Sequence, residues 1–383
     1  MVINNKIEIL DSTLREGEQT PGVSFTKSQK ITIAKMLDSF GVDFIELGHP
    51  AVSPDIYGTI KALNEMPLNA KKIVHGRVKE SDIDDAINIG VPWIGLFFGT
   101  SREYLKDKYH LNEHKALSVI EEGIRYGKGK GLNIRFTAED ATRTDLKFLL
   151  KIGRLIEKAG ADRFSLADTV GILRPDQTSK LVRYFTSKLD IPIHIHCHND
   201  FGLATANTLQ AIQSGATCVD VTINGLGERC GLPPLAEVVT ALDELYKIKN
   251  SWDLKKIIEM SNYIDRITKI KYKDTRPITG RYSFSHKAGL HVNAMLKNSK
   301  SYQSISPEKL NRHHKIIIDK YTGRQAIRYR LNELGIDHND ILLEKILLKI
   351  KRSPLITNWT DEKIMKLAKS LFLSKTDNSF PTN

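Results

Sequence analysis

The stretch 192-PIHIHCHND-200 sets His194, His196 and His198 at every second position and closes on an amide and a carboxylate. In an extended strand that spacing turns all three imidazoles to one face. Seven other β-rich runs share its character: IEILDST (7–13), FIELGHP (44–50), KIVHGRV (72–78), WIGLFFGT (93–100), NIRFTAED (133–140), RFSLADTVG (163–171) and CVDVTINGL (218–226). Amphipathic segments separate them; in KSQKITIAKMLDSFG, Ile31, Ala34, Leu37 and Phe40 mark one helical face and Gly41 closes the helix. Eight strands alternating with helices predict an α/β fold, a (β/α)8 TIM barrel over residues 1–245, rather than an open sheet.

Composition narrows the class. The chain has 383 residues, 40% of them hydrophobic, and a net charge of +12, enough for a large barrel with an appendage. Lysines and arginines are dispersed among acids, with an excess between Lys297 and Arg352, and no zinc-finger or RNA-binding pattern appears. The expectation is no nucleic-acid partner and a basic surface suited to anionic small molecules. No apolar run approaches a bilayer span, and MVINNKIEIL has no secretory pattern, so a cytoplasmic, membrane-free protein is expected. Cys197, Cys218 and Cys230 are too few and scattered for a disulfide framework.

The alternation stops near residue 245. Helical segments over 253–270, 324–334, 340–351 and 361–372 surround the irregular YKDTRPITGRYSFSHKAGLH. The expected organisation is a linker and lid-like subdomain over 246–320, a C-terminal helical subdomain over 321–375 and a disordered tail over 376–383. Apolar positions here look too few for a second large core, which predicts a mostly helical extension packed on a barrel.

Polar residues gather at the C-terminal ends of the predicted strands, where barrels of this kind build their sites. His196 and His198 open toward that end and His194 lies a layer deeper. Two imidazoles with one carboxylate, for which Glu16 is the best candidate, make a divalent-metal site with open positions; buried histidines satisfied by carbonyls are the alternative. In 11-DSTLREGEQTPG-22, Arg15 could stabilise a developing alkoxide beside such a metal, or belong to an exposed ion-pair cluster. Arg135, Thr137 and Glu139 share one strand face, fit either for a substrate carboxylate and a base or for a buried Arg–Glu pair. NGLGERCGLPP (224–234) could bring backbone amides to an anion. His286 and His291 fall in the irregular region.

DSTLREGEQTPGV, HCHNDFGLATANTLQAIQSGA and NGLGERCGLPPLAEV resemble the signatures of the 2-isopropylmalate synthase/homocitrate synthase family, the acyltransferase branch of the DRE-TIM metallolyases, over about residues 6–372. LGHPAVSPDIY, IRFTAEDATRTD and ITGRYSFSHKAGLH are most similar to the archaeal-type homocitrate-forming branch. The resemblance implies an acyltransferase of lysine biosynthesis that joins acetyl-CoA to 2-oxoglutarate. The alternative within the family is a 2-isopropylmalate or citramalate synthase using 2-oxoisovalerate or pyruvate. It implies a divalent cation (Zn, Mn, Mg or Co) on Glu16, His196 and His198. Arg15 would steady the keto oxygen, Thr169 the near carboxylate, and His75, Arg135 and Thr137 the distal one. It implies His291 as base, assisted by Glu139 and Tyr321, and Gln19 and Asn224 as substrate contacts. Asp11, Asn224, Asn199 and Asp200 would stand behind the ligands and orient them. A homodimer with the extension swapped onto the partner barrel is implied as well. The family also carries an acid in some members where this chain has Gly95, and the length leads us to expect no appended regulatory domain.

Overall fold

The computed structural model describes residues 6–270, 274–354 and 359–373. Eight parallel strands hydrogen-bond in sequence order and β8 returns to β1, closing the predicted barrel. They are β1 (Glu8–Asp11), β2 (Phe44–Glu46), β3 (Lys71–Arg77), β4 (Trp93–Gly99), β5 (Asn133–Glu139), β6 (Arg163–Asp168), β7 (Ile193–Cys197) and β8 (Cys218–Val221). Helices α1 (Lys27–Phe40), α2 (Pro54–Asn64), α3 (Glu80–Ile89), α4 (Glu113–Gly129), α5 (Leu146–Ala159), α6 (Pro175–Thr186), α7 (Ala204–Gln213) and α8 (Leu235–Glu244) follow the strands. The TIM-barrel fold class is therefore as the sequence predicts.

Local chemistry explains the element ends. Thr26 and Gln29 form a capping box at the start of α1, and Gly41 ends it at φ 100°, where a side chain would be strained. The buried face of α1 is Ile33, Ala34, Leu37 and Phe40; the predicted Ile31 lies to one side, partly exposed. Two β-branched residues two positions apart cannot both face a core across a helix, and tertiary packing selects Ile33. Across the base of the barrel, Leu10, Phe44, Ile73 and Cys218 pack as an apolar plug with Trp93. Above that plug the interior turns polar.

By its contacts the chain divides into Met1–Tyr272 and Lys273–Asn383, a boundary later than the expected 245. The reason is α9 (Ile257–Thr268), whose Ile257, Met260 and Ile264 are buried and which receives Asn224 from the turn after β8. In the second unit, β9 (Ser285–His286) pairs with β10 (Lys315–Ile316). Helices α10 (Gly289–Lys297), α11 (Arg324–Glu333), α12 (Asp340–Lys351) and α13 (Asp361–Leu373) complete it. Val292, Met295, Ile327, Leu331, Leu343, Ile346, Ile350 and Ile364 belong to one buried cluster there. That overturns the expectation that this region lacks apolar residues for a core of its own, and the cluster crosses the expected 320/321 division. The tail 376–383 lies outside the described residues. Among the described residues no helix is long and apolar enough to cross a membrane.

Candidate active site

Glu16, His196 and His198 converge at the C-terminal end of the barrel, their ligand atoms all within 4.8 Å of one another. β7 supplies His196 at its end and His198 just beyond; Glu16 comes from the loop after β1. The two Nε2 atoms lie 3.2 Å apart, and His198 Nε2 is 4.0 Å from Glu16 Oε1. Two imidazole nitrogens so close, beside a carboxylate, suit a common cation. Burial, followed by the His196 charge, pushes His198 down to about 3, so its ring is neutral and able to ligate. For Glu16, burial works toward protonation, yet Arg15 and the two histidines outweigh it and hold the carboxyl below its ordinary range.

Asp220 orients His196 from behind. Its Oδ2 meets His196 Nδ1 at 2.7 Å and its Oδ1 meets His194 Nε2 at 2.9 Å. That fixes the His196 tautomer and leaves Nε2 for the cation. His194, fully buried, is a strut beneath the site. Asn199 instead caps α7 by accepting from Ala204 N–H, and Asp200 pairs with Arg229. Asp11 accepts from Thr13 N–H on its own loop, and burial lifts its carboxyl to about 7. Asn224 turns toward Ser261 and Asp265 on α9, so the structure does not bring it to the ligands or the cavity. The Gly-rich loop places one amide, that of Glu228, on Glu16 Oε1 at 3.0 Å. The anion it serves is thus part of the protein.

A second buried acid, Glu46 at the end of β2, was not picked out from the sequence. It accepts from Ser12 Oγ at 2.5 Å, Arg15 Nε at 2.8 Å and Arg135 Nη2 at 2.7 Å, with His75 Nδ1 at 3.3 Å. Although burial opposes ionisation, Arg15 and Arg135 hold this carboxyl well below the usual carboxylate range. Arg15 also donates to Glu16 through Nη1 and thereby stands between the two acids. Arg135 reaches Asp220 at 3.5 Å, so a continuous ionic chain runs from Arg15 through Glu46, Arg135 and Asp220 to His196. Burial, then Arg15, pushes His75 down to about 4, and the ring lies flat on Phe97 at 4.5 Å.

A cavity of about 350 Å³ opens over these groups, lined among others by Gln19, His75, Arg135, Thr137, Glu139 and Thr169. Arg135 Nε and Thr137 Oγ1 are buried and, among the described residues, have no hydrogen-bond partner. Thr169 Oγ1 accepts from Asp140 N–H at 2.8 Å, and Glu139 pairs with Lys108 at 2.7 Å. A second cavity of about 430 Å³ shares Arg15, Gln19 and His49 with the first. His291 and Tyr321 belong to the second unit. There His291 is exposed and stacks on Tyr302, ring centres 4.1 Å apart. Tyr321 lies under the Lys287 ammonium. Tyr302 is the hydroxyl-bearing ring against His291, and its spacing of eleven residues gave no sequence signal.

The family model HMGL-like matches residues 6–264, and Homocitrate synthase post-HMGL domain-like matches 278–355. The chain belongs to the homocitrate synthase family. It is 43% identical over 374 residues to homocitrate synthase of Sulfolobus acidocaldarius, covering 96% of this chain and 80% of that relative. Homocitrate synthase of Sulfurisphaera tokodaii is 42% identical over 373 residues, with the same coverages. Among solved structures, HMG-CoA lyase of Bacillus subtilis superposes with a TM-score of 0.63 at 20% identity, covering 70% of this chain and 96% of that one. The Pseudomonas aeruginosa lyase gives 0.62 at 18%, covering 76% and 98%; at such identities the likeness concerns the fold.

Proposed function

We propose that the protein condenses acetyl-CoA with 2-oxoglutarate and hydrolyses the resulting thioester, releasing homocitrate and CoA. The observation that carries this reading is the buried, incompletely satisfied Arg135–Thr137 pair a short way from the Glu16, His196 and His198 trio. A C5 dicarboxylate offers a carboxylate at each end, and an acceptor with a distal anion would satisfy Arg135 Nε and Thr137 Oγ1; a branched aliphatic tail would leave those two atoms unpaired. His75, neutral and backed by Phe97, forms the remaining wall.

A divalent cation on Glu16, His196 and His198 would polarise the keto group of a chelating 2-oxo acid. Arg15, fixed through Nε on Glu46 and through Nη1 on Glu16, would stabilise the oxygen as it gains negative charge. Thr169 would receive the near carboxylate. His291 would take the proton from the acetyl methyl group, with Glu139 setting its orientation and a tyrosine hydroxyl, Tyr302 or Tyr321, placing the thioester. We further infer a homodimer in which the second unit of one subunit serves the barrel of its partner.

The test is CoA release from acetyl-CoA with 2-oxoglutarate, 2-oxoisovalerate or pyruvate as acceptor, for the native chain and for His75→Leu. 2-Oxoglutarate should be strongly preferred by the native protein, and the variant should lose that preference while keeping its bound metal. Preference for 2-oxoisovalerate or pyruvate would overturn the reading.

A further inference from the structure

Between β4 and α4 the chain makes a six-residue turn, Tyr104–Tyr109, that the condensation chemistry above does not use. The turn is stapled to the end of β4. The Tyr109 hydroxyl accepts from Gly99 N–H at 3.2 Å, and the Tyr109 ring stacks on Phe98 at 4.3 Å. Leu105 is buried beneath it, and the Tyr104 ring occupies the space where Gly99 would carry a Cβ. A side chain at position 99 would therefore dislodge the turn.

The staple aims one cation. Lys108 Nζ lies 2.7 Å from Glu139 Oε2. It sits over the rings of Tyr104 (4.8 Å), Tyr109 (5.4 Å) and Phe97 (5.9 Å). An exposed lysine pair is usually mobile and contributes little. Here three π faces surround the ammonium, and each favours a cation at that point. Phe97, Tyr104 and Glu139 all line the active-site cavity, so the pair forms part of its rim.

We infer that Lys108 is a positioning residue of the condensation: it holds Glu139 in the orientation in which that carboxylate can steer the base. This rests on the functional reading above. The groups facing Glu139 are Lys108, Tyr104 and Tyr109 of the turn; β4 adds the uncharged Phe97 and Gly99, and the following loop carries Asp140 and Arg143, which pair with each other. Lys108 is thus the cation in direct contact, and its charge-assisted hydrogen bond fixes where the carboxylate points.

Three readouts test this on the metal-loaded full chain. Lys108→Met should lower kcat about tenfold with the KM for 2-oxoglutarate little changed. Lys108→Arg should restore kcat. Independently of turnover, carbon-13 NMR of protein labelled at glutamate Cδ, with the Glu139 signal assigned from Glu139→Gln, should show that signal displaced in Lys108→Met and returned in Lys108→Arg. If the native chain condenses nothing, the functional reading fails while the NMR signal still decides whether Lys108 fixes Glu139. An unmoved Glu139 signal, or an unchanged kcat in Lys108→Met, overturns the inference. So does a loss that follows a lowered melting temperature and that arginine does not repair.

Discussion

Replacing Gly95 by alanine isolates the contact on which acceptor choice is argued to depend. Gly95 pairs directly with Arg135 across β4 and β5. A Cβ at 95 would lie 2.6 Å from Arg135 Nη2 and 3.1 Å from its Cζ, against 3.4 Å or more for ordinary contact. The guanidinium must then retreat by about 0.8 Å. Arg135 is 1% exposed and clamped by Glu46 at 2.7 Å, so the retreat stretches that bond to the edge of hydrogen bonding. A charge-assisted hydrogen bond contributes about 1.5–3 kcal/mol, and each 1.4 kcal/mol is a factor of about ten. Gly95→Ala should therefore raise the KM for 2-oxoglutarate between about tenfold and a hundredfold. Metal content should stay at the native level and any residual 2-oxoisovalerate turnover should be unaffected. Steady-state CoA release with both acceptors, beside metal analysis, measures all of this. A KM for 2-oxoglutarate within about twofold of native would show that Arg135 gives way freely, and would refute the idea that its fixed position selects the acceptor.

Other consequences are equally accessible. Asp220→Asn removes the carboxylate that fixes His196, and should weaken metal binding by about ten- to a hundredfold in a chelator competition. Glu16→Gln should bind less metal than native by elemental analysis while retaining the same secondary structure by circular dichroism. Asp82 accepts from His49 and from the Arg77 backbone and guanidinium; against burial, these partners hold its carboxyl below its usual range. A depressed folded value means stability present above the unfolded value near pH 4 and lost as pH falls toward the folded one. Asp82→Asn should thus cost about 2 kcal/mol at pH 7, with the denaturation curves of variant and native protein converging in acid. In the second unit, Ile346 is fully buried, and Ile346→Ala should cost about 2–5 kcal/mol in a denaturant titration that follows that unit.

The barrel was legible because alternation is a local property: β-rich runs separated by helical ones can be read without knowing which strand neighbours which. His196 and His198 were legible for the same reason, since a period of two fixes a shared face. Glu46 and Asp220 were not. In FIEL and CVDV a single acid in an apolar strand carries no mark of purpose, and the significance of both arises only when closure of the sheet sets them against Arg15, Arg135 and His196. Asn199 and Asp200 were drawn toward the histidines by adjacency in sequence, whereas a strand end followed by a turn sends its next residues outward to cap α7 and meet Arg229. Asn224 likewise went to α9, an element whose docking on the barrel the strand count did not foresee. The second core was underestimated because, apart from α12 with its five members, its apolar residues are spread thinly over α10, α11, α13 and the stretch around β10.

Incubation of the metal-loaded protein with acetyl-CoA carrying carbon-13 in the acetyl group, and with unlabelled 2-oxoglutarate, tests the central claim most directly. The account predicts labelled homocitrate by NMR, one equivalent per CoA released, and none after chelation of the metal. Free CoA with labelled acetate and no new carbon–carbon bond, or label entering a product only when 2-oxoisovalerate or pyruvate is supplied, would contradict it.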